Sequence, residues 1–90
     1  MEKEQEILDI LQEECGEVVQ EVSKVRRFGI DSIHYKEQVS HRVVLTNELG
    51  DLLCMIRLAV ESGIVKQEEV EAASSRKNAK LKTWSTIFKE

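Results

Sequence analysis

Apolar side chains recur at three- and four-residue steps along two long stretches of this chain, and that period commits both stretches to helix. In the first, Ile7, Leu11, Val18, Val22 and Val25 make one stripe; in the second, Leu45, Leu49, Leu52, Leu53, Ile56, Ala59 and Val60 do the same. The sequence has no Pro, one Trp, one Tyr and two Phe, so it lacks both the strongest helix breaker and the aromatic clusters that strands favour. The spacing predicts a first helix from about Lys3 to Phe28. Gly29 stops it, since Gly takes a left-handed backbone without cost, and Arg26 and Arg27 complement its negative end. A second helix is expected over about His41–Ser62, closed by Gly63, and a third over about Gln67–Thr83, opened by Glu68 and Glu69. Val70, Ala73, Ala79 and Leu81 give the third a thin apolar face, and the tail to Glu90 is expected to fray. Ile30 to Ser40 has no sustained period and reads as a loop, longer than most helix–helix connections, a length at which loops often carry function.

Ninety residues make a single domain, 1–90. A core of that size rarely contributes more than about 3–5 kcal/mol without a staple, a metal or a partner subunit. The expected fold is therefore all-α: a helical bundle of two long helices plus a shorter C-terminal helix, completed by homo-oligomerisation as a dimer or tetramer. A net charge of −4 argues against a nucleic-acid polymer as the main partner, with Arg76, Lys77, Lys80 and Lys82 as a local basic exception. Cys15 and Cys54 form no CxxC pair and read as small core residues of a reducing cytosol. The N-terminus has no signal pattern and the longest apolar run is too short to span a bilayer, so a cytoplasmic protein without a membrane partner is expected.

Carboxylates occupy places on the stripes where apolar residues belong. At about 100° per residue, Glu14 projects almost with Ile7, Val18 and Val25, Glu17 lies beside Ile10 on the stripe's edge, and Glu21 also looks inward. On the second helix Glu48 falls between Leu52 and Met55, with Asp51 one step further round. Each helix thus brings an i, i+3 acidic pair to its buried face or beside it, spaced so that both members reach one point. Two carboxylates about 4 Å apart repel by about 4 kcal/mol at an effective dielectric of 20, and desolvation adds to that. The faces hold no matching cations. A hard divalent ion, Mg²⁺ above all, compensates both terms. A solvated acidic face is the bland alternative, less suited to acids that interrupt the stripe on both helices. A di-iron carboxylate bundle needs Glu-x-x-His pairs, and neither pair ends in His.

Together, Glu13-Glu14-Cys15-Gly16-Glu17 and Glu48-Leu49-Gly50-Asp51 resemble the EExxE…ExxD signature of the all-α nucleoside triphosphate pyrophosphohydrolases, the MazG-like superfamily. Ser23-Lys24-Val25-Arg26-Arg27-Phe28-Gly29 resembles the element that closes the first helix in small, often phage-borne members. Asn47 to Leu53 resembles the core of the second motif, and Lys77-Asn78-Ala79-Lys80-Leu81 with Trp84 resembles the basic C-terminal helix. The likeness runs from about Glu6 to Trp84. Two departures stand out: the gap between Glu17 and Glu48 is slightly longer than usual, and Glu21 replaces a residue that is often small. Glu21 either adds a carboxylate or turns outward.

The resemblance implies an enzyme that hydrolyses (d)NTP between the α- and β-phosphates, giving (d)NMP and pyrophosphate. It implies that Glu14, Glu17, Glu48 and Asp51 bind Mg²⁺, with Mn²⁺ as a substitute; Glu13 points away from the stripe centre, which suits support from behind or helix solvation better than direct ligation. Glu17 is the residue to orient or deprotonate the attacking water. Lys24, Arg76, Lys77, Asn78 and Lys80 are the substrate-binding candidates, cations for phosphate oxygens and an amide for phosphate or sugar. Phe28 and Trp84 either stack on the base or, more commonly for aromatics of small helical proteins, pack in the core. His34 and His41 read as loop and cap residues, Met55 and Cys54 as packing, and Gly50 as a point of close helix approach. Two rivals remain: a non-catalytic helical interaction module, and a sibling pyrophosphohydrolase such as one acting on phosphoribosyl-ATP.

Overall fold

The computed structural model describes residues 2–89, and among them the regular elements are helices α1 (Glu2–Phe28), α2 (His41–Glu61) and α3 (Gln67–Trp84). The bounds lie within a residue of those expected from periodicity. Both glycine stops hold positive φ, 97° at Gly29 and 83° at Gly63. After α2 the Gly63 N–H donates to the Val60 carbonyl and the Ile64 N–H to that of Ala59, a Schellman closure in which Ile64 packs back on the core.

Helices α1 and α2 form an antiparallel hairpin. Residues at seven-step spacing define its seam: Ile7, Glu14 and Glu21 on α1, and His41, Glu48 and Met55 on α2. Three levels result, each about 10.5 Å from the next. Ile7 meets Met55 and Ala59 at the open end, with Ile10, Leu11 and Leu58 against them. Glu14 meets Glu48 and Asp51 in the middle. Glu21 meets His41 at the loop end, with His41 Nδ1 2.8 Å from Glu21 Oε1.

Several backbone hydrogen bonds tie the 29–40 connection together, among them those from the N–H groups of His34 to the Val39 carbonyl and of Gln38 to the His34 carbonyl. The N–H groups of His41 and Arg42 donate to the carbonyls of Ser32 and Ile30, and the Ser40 Oγ caps α2 by accepting from the Val43 N–H. An isolated bridge joins Ile33 to Ser40, and Gln38 takes a positive φ of 59° in the turn between them. This loop is an ordered platform that satisfies the donors at the start of α2.

α3 has no buried residue and makes no packing comparable to that of α1 on α2. Beyond it, the Ser85 Oγ accepts from the Ile87 N–H, and Lys82 lies over the Phe88 ring at 5.9 Å. The chain is consequently flat, 40 × 37 × 14 Å, with a radius of gyration of 15.9 Å. A compact chain of this length would have about 12 Å. The thickness is that of one layer of helices.

That thinness corrects several expectations. Cys15 and Cys54 are exposed free thiols, because a two-helix seam buries one strip of each helix and both residues lie outside it. Phe28 and Trp84 are exposed as well, at 57% and 83%, so neither is a core aromatic. A Cβ built on Gly50 would meet nothing within 4 Å, so this glycine permits no close approach within the chain.

Candidate metal centre and the histidine layer beside it

Glu14 comes from the middle of α1, and Glu48 and Asp51 come from one turn of α2. The hairpin register sets them opposite each other, and each offers a carboxylate oxygen, all within 4.8 Å of one another. Glu14 and Glu48 are half-buried on the seam, whereas Asp51 and Glu17 lie outward on its rim. The desolvation is therefore partial, milder than four inward-facing acids would give. Glu17 is not in the tight trio but borders the adjoining cavity with Glu48 and bears on both seam acids. Glu13 is exposed one step behind.

The crowding shows in the acid–base behaviour. Desolvation, then the charges of Asp51, Glu17 and Glu13, raise the Glu14 carboxyl above its usual value. Desolvation likewise leads for Glu48, followed by Glu17, Asp51, Glu14 and Glu21. A carboxyl whose folded pKa is raised binds its proton more tightly in the native state, so its contribution to stability is full below the unfolded pKa, about 4.3 for Glu. That contribution is lost as pH rises through the folded value. The metal-free protein is expected to melt higher on mild acidification from neutrality towards that range. Millimolar Mg²⁺ should abolish the trend by stabilising the ionised acids. Thermal melts across pH, with and without the ion, check both; a metal-free melting temperature that falls on acidification through that window contradicts the effect.

Glu21 turns inward. It is 3% exposed, His41 is 4% exposed, and their contact answers the open question about this carboxylate. His34 is also buried; it lies in the loop as expected, and His41 opens α2 just after the Ser40 cap, but the burial of both was not foreseen. A ligand atom from each of Glu21, His34 and His41 falls within 4.8 Å of the others, a spacing that a transition metal can use. Tautomer chemistry opposes it. The Nδ1 of His34 accepts from the backbone N–H groups of Lys36 and Glu37, so its neutral ring carries the proton on Nε2 and has no lone pair to give there. Glu21 and His41 form a hydrogen-bonded pair beneath the acids, and the His34 ring, bonded to its own loop, lies 5.1 Å from that of His41. The seven-residue spacing from Glu14 to Glu21 and from His41 to Glu48 is the signal that would have found the pair.

An acidic cavity of about 240 Å³ opens beside these levels, bordered by Glu17, Glu21, His34 and Glu48. Lys24, half-buried, lines both this cavity and a neighbouring groove. Arg76, Lys77, Asn78 and Lys80 stand on exposed α3, which does not pack beside the acids.

The family profile of the MazG nucleotide pyrophosphohydrolase domain matches residues 2–83. The chain belongs to the MazG family. Membership covers nearly all of it, including both acidic motifs, the ordered loop and most of α3. No curated protein and no solved structure matches the chain. The MazG assignment points to nucleotide pyrophosphohydrolysis as the general activity and is consistent with a nucleotide substrate; divalent metals are general among such hydrolases. The acid trio is a donor set of the right chemistry, since hard dications prefer carboxylate oxygens. No helix among the described residues is long and apolar enough to cross a membrane.

Proposed function

We propose that this MazG-family chain is a Mg²⁺-dependent nucleoside triphosphate pyrophosphohydrolase, converting (d)NTP to (d)NMP and pyrophosphate. One observation carries the reading: carboxylates of Glu14, Glu48 and Asp51, drawn from two facing helices, converge, and none of the three is paired with a cation among the described residues. These three would hold the ion, with Glu17 at the rim, and Mn²⁺ would substitute. When bound, the ion neutralises phosphate oxygens and lowers the pKa of a nearby water.

The chain's own groups do the rest. Glu17 orients the attacking water and takes its proton as oxygen adds to the α-phosphorus. The bond from that phosphorus to the α–β bridging oxygen breaks, and pyrophosphate leaves. Lys24, beside both the acids and the groove, pairs with a phosphate oxygen. Arg76, Lys77, Asn78 and Lys80 reach the β- and γ-phosphates from α3 of a neighbouring copy.

Assembly as a homodimer or homotetramer is part of this proposal. Leu8, Val19 and Val22 on α1 and Leu49, Leu53 and Ile56 on α2 are each at least 37% exposed. They sit about 80–140° round from their seams, which in an antiparallel pair puts both rows on one side of the hairpin, opposite Glu17 and Asp51. A second copy would cover that face.

Incubation with a panel of ribo- and deoxyribonucleoside triphosphates and Mg²⁺ should release monophosphate and pyrophosphate in equal amounts. Release of orthophosphate instead overturns the cleavage position. No turnover, together with no rise in melting temperature on adding Mg²⁺, leaves a non-catalytic helical module, because an ion that binds only the folded state must raise it.

A further inference from the structure

A groove of about 440 Å³ opens at the loop end of the hairpin, between the last turn of α1 and the 29–40 connection. Phe28, Ile33 and Tyr35 wall it, 57%, 62% and 82% exposed. Three large apolar side chains stand uncovered together on a loop cross-tied by the His34–Val39, Gln38–His34 and His41–Ser32 backbone hydrogen bonds, so the exposure is not that of a frayed segment. Lys24 and Arg27 lie at its border, and Lys24 joins it to the acidic cavity. His41 lines it from within.

We propose that this groove seats the nucleobase of the substrate, stacked against Phe28 and Tyr35, with His41 Nε2 offered to the edge of the base. The proposal rests on the hydrolase reading above and adds to it where the base lies and what meets it. The groove has the size of ordinary small-molecule sites, and flat aromatic walls suit any base, since every base has a π-face. The acid level and the His41 level are one heptad apart, about 10.5 Å, a span that a nucleotide bridges from phosphate to base. His41 is held rather than free. Its ring stacks on Phe28 with centroids 5.9 Å apart, and Nδ1 pairs with Glu21 at 2.8 Å. Donation from Nδ1–H to the carboxylate leaves Nε2 of the neutral ring as a bare acceptor, suited to a ring N–H or exocyclic amine.

The test titrates isotope-labelled protein with the four ribonucleoside monophosphates in the absence of metal, using ribose 5-phosphate as the base-free control. Resonances of Phe28, Ile33, Tyr35 and His41 should shift with at least one monophosphate and stay put with ribose 5-phosphate. Tyr35→Ala, at a side chain too exposed to support the fold, should weaken that binding by roughly 5- to 100-fold. An analogue of the best-bound base with its donor methylated should bind roughly tenfold more weakly. The proposal is overturned if ribose 5-phosphate moves the same resonances, if no monophosphate moves them at millimolar concentration, or if Tyr35→Ala leaves affinity unchanged. Unchanged affinity of the methylated base removes the His41 contact. Turnover plays no part in this readout, so base-dependent shifts without pyrophosphate release would count against the hydrolase reading alone.

Discussion

Glu48→Gln is expected to cut pyrophosphate release by about three orders of magnitude while leaving the metal-free protein at least as stable as the parent. Charge neutralisation by a bound ion is worth several kcal/mol at the transition state, and each 1.36 kcal/mol is tenfold in rate. Glutamine keeps the shape of Glu48 on the seam but withdraws one anionic ligand from the converging trio. The same change relieves the crowding from Glu17, Asp51, Glu14 and Glu21 that raises the Glu48 carboxyl. Activity and stability should therefore move apart, a pattern that mere misfolding cannot give. Asp51→Asn should repeat the loss of activity from the rim. Steady-state pyrophosphate assays and metal-free thermal melts read the two effects. A Glu48→Gln protein that retains a tenth of the parental rate would remove this residue from the centre.

Glu21→Ala and His41→Ala are each expected to unfold the isolated chain at room temperature. Removing His41 leaves the buried Glu21 charge unpaired, at about 3–5 kcal/mol, and removing Glu21 leaves the buried His41 Nδ1–H unsatisfied, at about 1–3 kcal/mol. The apolar core among the described residues is Ile7, Met55 and Ala59, so little remains to absorb such a loss. Replacing both partners together, as Glu21→Met with His41→Leu, should restore the helical signal, since an apolar pair of similar volume carries no such penalty. The double variant would also lack the polar edge of the groove. Far-UV melts of the four proteins in a double-mutant cycle give the coupling directly. Single variants that melt within a few degrees of the parent would show the pair to be solvated.

Periodicity and punctuation made the helices legible, because Gly29 and Gly63 act through their own backbones and the apolar stripes act through the nearest turns. The acids were legible for the same reason: i, i+3 spacing on each helix fixes which way Glu14, Glu48 and Asp51 point before any tertiary contact is known. What escaped depends on pairing. Glu21 and His41 are twenty residues apart, and their contact exists only once the hairpin register is set. The two cysteines and Gly50 misled because helical phase says which residues share a face but not how much of that face a neighbour covers. A chain one helix thick covers little, and Trp84 stands out for that reason.

The first turn of α2 has a consequence for how this protein meets negative charge. Many nucleotide-binding folds lodge a phosphate on the open amides that begin a helix. Here the amides of His41, Arg42 and Val43 are already engaged by Ser32, Ile30 and Ser40. That berth is closed to an anion. Under the proposed function, polyphosphate would not sit on this helix start but would be held sideways, by flexible cations and carboxylate-held dications. Its recognition would then vary with ionic strength and metal supply more than with main-chain shape.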